Sequence, residues 1–262
     1  MSAAEKIAGL MQNGPQLEPG HVWLAGAGPG DPGMLTLEVA AALGQAEVVV
    51  YDALVDARIL ALADQAELVF AGKRGGRPSP TQENITRKLI EHARAGRRVL
   101  RLKGGDPFIF GRGGEEALAL TQAGIPFRIL PGMTAALGAL AAAGIPATMR
   151  GINRAVTLAT GHAVGTDEDL DWAAIARTGQ PVVIYMGLKN LGAIAAALAK
   201  GGMDASTPAA VIASATTGQQ RIAVATLATL ADEAARQGIE APALIVIGHI
   251  VSMRKQLKGT QE

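Results

Sequence analysis

The densest concentration of chemistry-bearing residues lies at 101–116, Arg-Leu-Lys-Gly-Gly-Asp-Pro-Phe-Ile-Phe-Gly-Arg-Gly-Gly-Glu-Glu. Gly104 and Gly105 let a ligand approach the backbone closely. Asp106, beside them, can accept hydrogen bonds from a ribose hydroxyl or an ammonium group. Arg112 stands between Gly111 and Gly113 with no bulky neighbour to screen it, and its planar fork matches a carboxylate in bidentate fashion. Glu115 follows three residues later, within reach of Arg112 if a helix begins at Gly113.

A second glycine cluster, Gly26-Ala-Gly-Pro-Gly-Asp-Pro-Gly33, holds Gly28, Gly30 and Gly33 in the G-x-G-x-x-G spacing, and Asp52 lies about where a dinucleotide fold puts its ribose-binding acid. Such a loop binds pyrophosphate through backbone N–H groups. Pro29 and Pro32 have none, and Asp31 would set a carboxylate beside the anion. The residues favour a turn that walls a site and lends it an acid over a nicotinamide-dependent oxidoreductase. A strand-to-helix turn without a ligand stays open.

The elements that must carry these residues are legible. Short apolar runs occur at Val22–Ala25, Val48–Tyr51, Leu68–Ala71, Val99–Leu102 and Phe127–Leu130, then at Val156–Thr160, Val182–Tyr185, Ala210–Ala213, Ile222–Ala225 and Leu244–Ile247. Consecutive apolar positions predict strands buried on both faces. Helical patterns lie between most of them: Thr81–Ala95, Gly113–Ala123, Thr134–Ala143 and Leu227–Gln237, stopping at Gly96, Gly124, Gly144 and Gly238. The alternation predicts α/β architecture. Two groups of about five strands predict two domains, 21–132 and 133–253, with a loose N-terminal arm over 1–20 and a polar tail from 254. The Gly104-Gly105-Asp106 turn then sits at the carboxyl end of a strand, where open α/β sheets bind ligands.

Composition narrows the function. With 24 basic and 23 acidic residues the net charge is +1, which excludes nucleic-acid binding through a global basic field. The absence of cysteine excludes disulfides, thiolate metal sites and cysteine nucleophiles. The histidines, His21, His92, His162 and His249, form no close-spaced metal pair. Trp23 and Trp172 read as core or interface residues. The start of the chain lacks the basic and apolar pattern of a secretory signal, and no apolar run approaches membrane-span length, so a cytoplasmic protein is expected.

Eight motifs run in order along nearly the whole chain: Gly26-Ala-Gly-Pro-Gly-Asp31, Val50-Tyr-Asp52, Gly72-Lys-Arg74, Lys103-Gly-Gly-Asp-Pro-Phe-Ile-Phe-Gly-Arg-Gly-Gly-Glu115, Pro131-Gly-Met-Thr-Ala135, Gly144-Ile-Pro146, Thr160-Gly-His162 and Tyr185-Met-Gly187. On these motifs the chain resembles the uroporphyrinogen-III C-methyltransferases of the tetrapyrrole methylase superfamily, in their stand-alone form. The long central motif is specific; the glycine turn alone is not. The resemblance implies two α/β domains, each around a central mixed sheet, with the active-site cleft between them. It implies S-adenosylmethionine as methyl donor, S-adenosylhomocysteine as product, no metal, a homodimer, and no nucleic-acid or membrane partner. Carried over by position, the cofactor residues are Pro29, Gly104, Gly105, Asp106, Ile109, Thr134, Ala135, Met186 and Ala215. Position 215 often holds glycine in the family, and a backbone contact survives the change. Proton handling falls on Asp52 and Lys73, while Arg112, Glu115 and Arg150 match positions linked to substrate binding and catalysis.

The implied reaction methylates uroporphyrinogen III at C2 and C7, giving precorrin-2 by way of precorrin-1 for siroheme, cobalamin or haem d1 synthesis. Such a polycarboxylate needs concentrated positive charge, and Lys73, Arg74 and Arg77, with Arg112, Arg150 and Arg154, supply two clusters. Asp52 acts as a base or caps a turn; Lys73 acts as an acid or anchors a carboxylate. Arg112 is too basic to be a general base in water, which favours a clamp. Met186 binds cofactor or fills the core. A methylase of a later precorrin, a ribosomal-RNA methylase and a non-catalytic tetrapyrrole carrier are the rival readings.

Overall fold

The structure is a computed structural model that describes residues 1–72, 81–166 and 169–257. It contains two compact units, Met1–Thr134 and Ala135–Glu262.

The first unit runs α1 (Ala3–Gln12), β1 (Val22–Gly26), α2 (Leu37–Gln45), β2 (Val48–Tyr51), α3 (Ala57–Leu60), β3 (Glu67–Phe70), α4 (Gln82–Arg94), β4 (Val99–Lys103), α5 (Gly113–Gln122) and β5 (Phe127–Leu130). Its sheet has the order β3-β2-β4-β1-β5 and is parallel throughout, not mixed as the resemblance implied. The reason is connectivity: a helix crosses back between each strand and the next, so every strand starts from the same edge. Strand parity then assigns two cores. Trp23, Ala25, Val49, Leu100 and Leu102 face α2 and α3, whose Val39, Leu43 and Ile59 are buried against them. Val22, Leu24, Val48, Val50 and Val99 face α4 and α5, meeting Ile85, Leu89 and Leu120.

The second unit runs α6 (Ala135–Ala142), β6 (Thr157–Thr160), α7 (Trp172–Arg177), β7 (Val182–Tyr185), α8 (Leu191–Lys200), β8 (Pro208–Ala213), β9 (Arg221–Thr226), α9 (Leu230–Arg236), β10 (Ala243–Ile247) and α10 (Met253–Leu257). Its sheet is mixed, in the order β6-β7-β10-β8-β9. Only β6 and β7 are parallel neighbours; β10 runs against both β7 and β8, and β9 pairs with β8 as a hairpin. One face packs Val182, Ile184, Val211 and Ile245 against Trp172, Ile194, Leu198 and Leu230. The other packs Val183, Ile212 and Val246 against Ala136, Ala139, Leu140 and Ile250. Trp172 is buried, with its indole N–H given to Asp169 at 2.9 Å, and Trp23 is buried with the Arg128 guanidinium 5.2 Å from its ring centre.

Three segments depart from the sequence reading. The expected loose arm contains α1, started by a capping box in which Ser2 and Glu5 satisfy each other's backbone N–H groups. The polar tail is helical through Leu257, with Met253 buried and the Arg254 guanidinium bonded to the Ala143 carbonyl. Residues 258–262 lie outside the described residues. Helix α9 starts three residues late because Thr226 and Thr229 close a turn before it, their hydroxyls 3.0 Å apart. The recurring Ala-Gly-Ile-Pro phrase is a helix stop: Gly124 and Gly144 take positive φ, and the next isoleucine N–H bonds back to Leu120 and Leu140. No helix among the described residues is long and apolar enough to cross a membrane.

At the carboxyl edge of the first sheet the chain passes close to itself three times. A Cβ added to Gly26 would lie 2.6 Å from the Gly132 Cα and against the Gly105 carbonyl. A Cβ on Gly132 would lie 2.7 Å from the Gly26 Cα and meet the same carbonyl. Both obstacles are backbone and cannot rotate away. We therefore expect Gly132→Ala to destabilise the first unit by about 1–3 kcal/mol, read as a lowered midpoint in chemical denaturation.

Candidate active site

The loops leaving β1 and β4 are tied together. Gly28 N–H donates to Gly105 O at 3.1 Å and Gly105 N–H donates to Gly28 O at 2.7 Å. Ala27 N–H donates to Lys103 O at 2.7 Å, which continues the ladder past the end of the strands. Gly28 N–H is spent on Gly105 and Gly33 N–H on the Asp31 carboxylate, 2.8 Å away, so the G-x-G-x-x-G spacing is no phosphate cradle. Pro29 is left half-buried on the loop that packs beside Gly104 and Gly105.

Asp106 caps this arrangement. Its Oδ1 accepts from Phe108 N at 2.8 Å and its Oδ2 accepts from Gly132 N at 3.1 Å. The carboxylate thus joins the motif loop to the loop after β5, which leads to buried Thr134. Each oxygen keeps a lone pair for a further donor. Ile109 is half-buried on the same loop, whereas Phe108 and Phe110 are exposed.

Arg112 and Glu115 meet as the spacing predicts. Helix α5 begins at Gly113 with Arg112 as its N-cap in the left-handed region, φ 59°. Arg112 Nε and Nη2 donate to Glu115 Oε1 and Oε2 at 2.9 and 2.6 Å. The hydrogen bond from Arg112 holds the Glu115 carboxyl below its usual range and raises the guanidinium above its own. Both side chains are more than half exposed, so the pair adds little to stability.

Sequence reasoning missed the charges beneath Asp52. Arg101 and Lys103 lie on the same face of β4 as Val99, pointing at α4 and α5, and both are buried. Arg101 Nη2 donates to Asp52 Oδ1 at 2.6 Å, and Arg101 Nε donates to Glu116 Oε1 at 3.1 Å. Lys103 Nζ lies 3.2 Å from Glu116 Oε1 and 3.8 Å from Asp52 Oδ2. Gln82 Nε2, at the start of α4, donates to the same Glu116 oxygen at 2.8 Å. Burial opposes the Arg101 charge, but Glu116 and Asp52 outweigh it and raise the guanidinium's pKa. For Lys103, burial and then the Arg101 charge prevail and lower it. A signal was available: the Arg-Leu-Lys alternation in a strand enclosed on both faces demands buried acids.

Lys73 and Arg74, with Arg77, lie outside the described residues. In the second unit, Ala136 N–H donates to the Tyr185 hydroxyl at 3.0 Å, which sets half-buried Ala135 at the start of α6 beside the end of β7. Met186 follows with φ 54° and 53% exposure, so it does not fill the core. Ser214 and Thr216 also have positive φ, but Ala215 between them does not, and its Cβ costs the backbone nothing. Gln220 pins this turn by accepting from Thr216 N at 2.8 Å and donating to Ala142 O at 3.2 Å. Arg150 and Arg154 stand exposed on a loop held by the buried Asn153, whose side chain bonds Met149 N, Ala147 O and Ala155 O. His162 is exposed at the end of β6 and His92 is half-buried on α4.

Residues 21–231 match the family model of the Tetrapyrrole (Corrin/Porphyrin) Methylases. The chain is 54% identical over 246 residues to a uroporphyrinogen-III C-methyltransferase from Sinorhizobium sp., covering 93% of this chain and 88% of that one. It is 50% identical over 240 residues to a siroheme synthase of Methylococcus capsulatus, covering 91% of this chain but only 51% of that one. A Thermus thermophilus uroporphyrin-III C-methyl transferase solved with S-adenyl homocysteine is 40% identical, with a TM-score of 0.75 over 88% of this chain and 99% of that one.

The Arg112–Glu115 geometry has a direct check. Replacing Arg112 by alanine removes the hydrogen bond and the adjacent charge, so the Glu115 carboxyl should titrate at higher pH. Carbon-detected NMR titration of Glu115 in both proteins measures it.

Proposed function

Because the chain belongs to the tetrapyrrole (corrin/porphyrin) methylases, we propose that it methylates uroporphyrinogen III with S-adenosylmethionine in two successive transfers, at C2 and C7, giving precorrin-2 by way of precorrin-1. The observation that carries this reading is 54% identity over 93% of the chain to a uroporphyrinogen-III C-methyltransferase. The chain spans about half of the siroheme synthase it matches, so that protein's further activities form no part of the reading. Precorrin-2 is the branch compound for siroheme, cobalamin and haem d1. The enzyme works as a cytoplasmic homodimer.

The donor set suits S-adenosylmethionine. The Asp106 carboxylate is held in place by two backbone N–H groups and retains acceptor capacity for a hydroxyl or an ammonium group. Gly104 and Gly105 bring bare backbone to the same edge, and Pro29, Ile109 and Thr134 lie on the loops around it. Ala135, Met186 and Ala215 are the further cofactor positions that the family motifs supply. When bound, the cofactor supplies a methyl group on a sulfonium centre.

The remaining work falls to the chain's own side chains. A pyrrole carbon brings its own electron pair, so no covalent nucleophile is needed, and the tasks are alignment and removal of a proton. Asp52 is the proton acceptor: its carboxylate is half-buried at the end of β2 and already paired with two cations. Lys73 serves as the matching proton donor. Arg112 clamps a substrate carboxylate by exchanging Glu115 for it, since both partners are carboxylates and the fork geometry is the same. Glu115 holds the unloaded fork in its binding rotamer. Arg74, Arg150 and Arg154 receive further carboxylates.

An anaerobic assay of the purified protein with uroporphyrinogen III and labelled S-adenosylmethionine should give a doubly methylated product. No turnover by folded protein that binds S-adenosylhomocysteine would overturn the reading. Arg112→Ala should lower kcat/KM by at least about 100-fold while leaving S-adenosylhomocysteine affinity unchanged in calorimetry.

A further inference from the structure

The Arg101–Lys103–Glu116 cluster is difficult to explain as a stability device. Arg101 and Glu116 are 1% and 0% exposed, and burying such charges costs several kcal/mol per ion before pairing repays it. An apolar set of the same volume would usually be as stable or more so. The acceptor load on Glu116 is also uneven. Oε1 takes Gln82, Arg101 and Lys103, while Oε2 is buried and accepts no hydrogen bond from the described residues. An oxygen left this way costs about 1–3 kcal/mol. Stability alone would select against this arrangement.

What the cluster does achieve is direction. Arg101 is fastened along its whole guanidinium: Nε to Glu116, and Nη1 to the carbonyls of Val50 and Leu102 at 3.2 and 3.3 Å. That leaves Nη2 aimed at Asp52 Oδ1, the shortest bond in the group at 2.6 Å. Asp52 itself sits past the end of β2, beyond the regular sheet bonds, with its backbone N–H only 3.3 Å from Leu102 O. Its carboxylate is therefore set chiefly by Arg101, and Arg101 by Glu116.

We propose that Glu116 is a positioning residue for methyl transfer: it anchors Arg101 from the interior, and Arg101 fixes the Asp52 carboxylate that takes the proton. The inference rests on the reading of Asp52 as proton acceptor. Glu116 never touches substrate in this scheme, so its loss should appear in kcat and not in binding. A slightly misplaced catalytic group can cost about 100-fold.

A double-mutant cycle tests this. Glu116→Gln keeps the shape and removes the charge; it should lower kcat by about 10–100-fold, with KM for uroporphyrinogen III and the S-adenosylhomocysteine Kd changed by less than about 2-fold. In an Asp52→Asn background the same change should lower kcat by less than about 2-fold, because its route is already cut. Equal losses in both backgrounds would overturn the proposal, as would a loss confined to KM. If Glu116→Gln does not fold by circular dichroism, Arg101→Lys enters the same cycle, with the same two outcomes. Should Asp52→Asn leave kcat intact, the reading of Asp52 as proton acceptor fails, and the proposal with it; a large Asp52→Asn loss with additive Glu116→Gln effects sinks the proposal alone.

Discussion

A strand enclosed on both faces cannot carry unpaired charge, and β4 carries two cations on one of its faces. Much of the first unit follows from that constraint. The acids must come from elements that cross the same face, which places Asp52 at the end of β2 and Glu116 in the first turns of α5. Gln82 extends the demand to α4, whose first residue turns inward to share the Glu116 oxygen. Four charges, two of each sign, leave the interior neutral while ranking its members by freedom: Arg101 is fastened at three nitrogens and Asp52 stays partly open to solvent.

The same edge of the sheet is organised a second time, by backbone. Gly26, Gly105 and Gly132 approach within distances that no side chain permits, and Asp106 locks the contact by bonding Gly132 N. Charge pairing thus fixes the carboxylate at the end of β2, while glycine contacts fix the turn after β4 and the loop after β5. Asp52 on one side and Gly104, Gly105 and Asp106 on the other therefore rest on separate supports within the one unit.

The sequence was most informative where a physical pattern is local. All ten expected strands form, within two residues of the expected limits, because consecutive apolar residues and glycine stops act over short distances. The Arg112–Glu115 pair was legible for the same reason, being one helical turn apart. Sheet direction was less accessible: the resemblance implied a mixed sheet in both units, and crossover connections make the first wholly parallel. The buried cluster escaped notice because Asp52 and Gln82 lie outside the 101–116 motif, and nothing local shows that Arg101, Lys103 and Glu116 within it turn inward to meet them. The helical arm was missed although Ile7, Leu10 and Met11 recur at helical spacing and Ser2 and Glu5 form a capping box, because the segment is short and polar at both ends.

Five residues other than glycine hold positive φ: Phe110, Arg112, Met186, Ser214 and Thr216, among the described residues. Each such position costs about 1–3 kcal/mol, and glycine would relieve it. All five fall on loops at strand ends that also bear residues assigned to cofactor or substrate. Stabilisation campaigns that score only folded-state energy will nominate these sites first, and at Arg112 and Met186 they would delete side chains proposed to hold substrate and cofactor. In this fold the route to a hardier enzyme runs through its helices and exposed turns, and the strand-end loops are the ground it must leave alone.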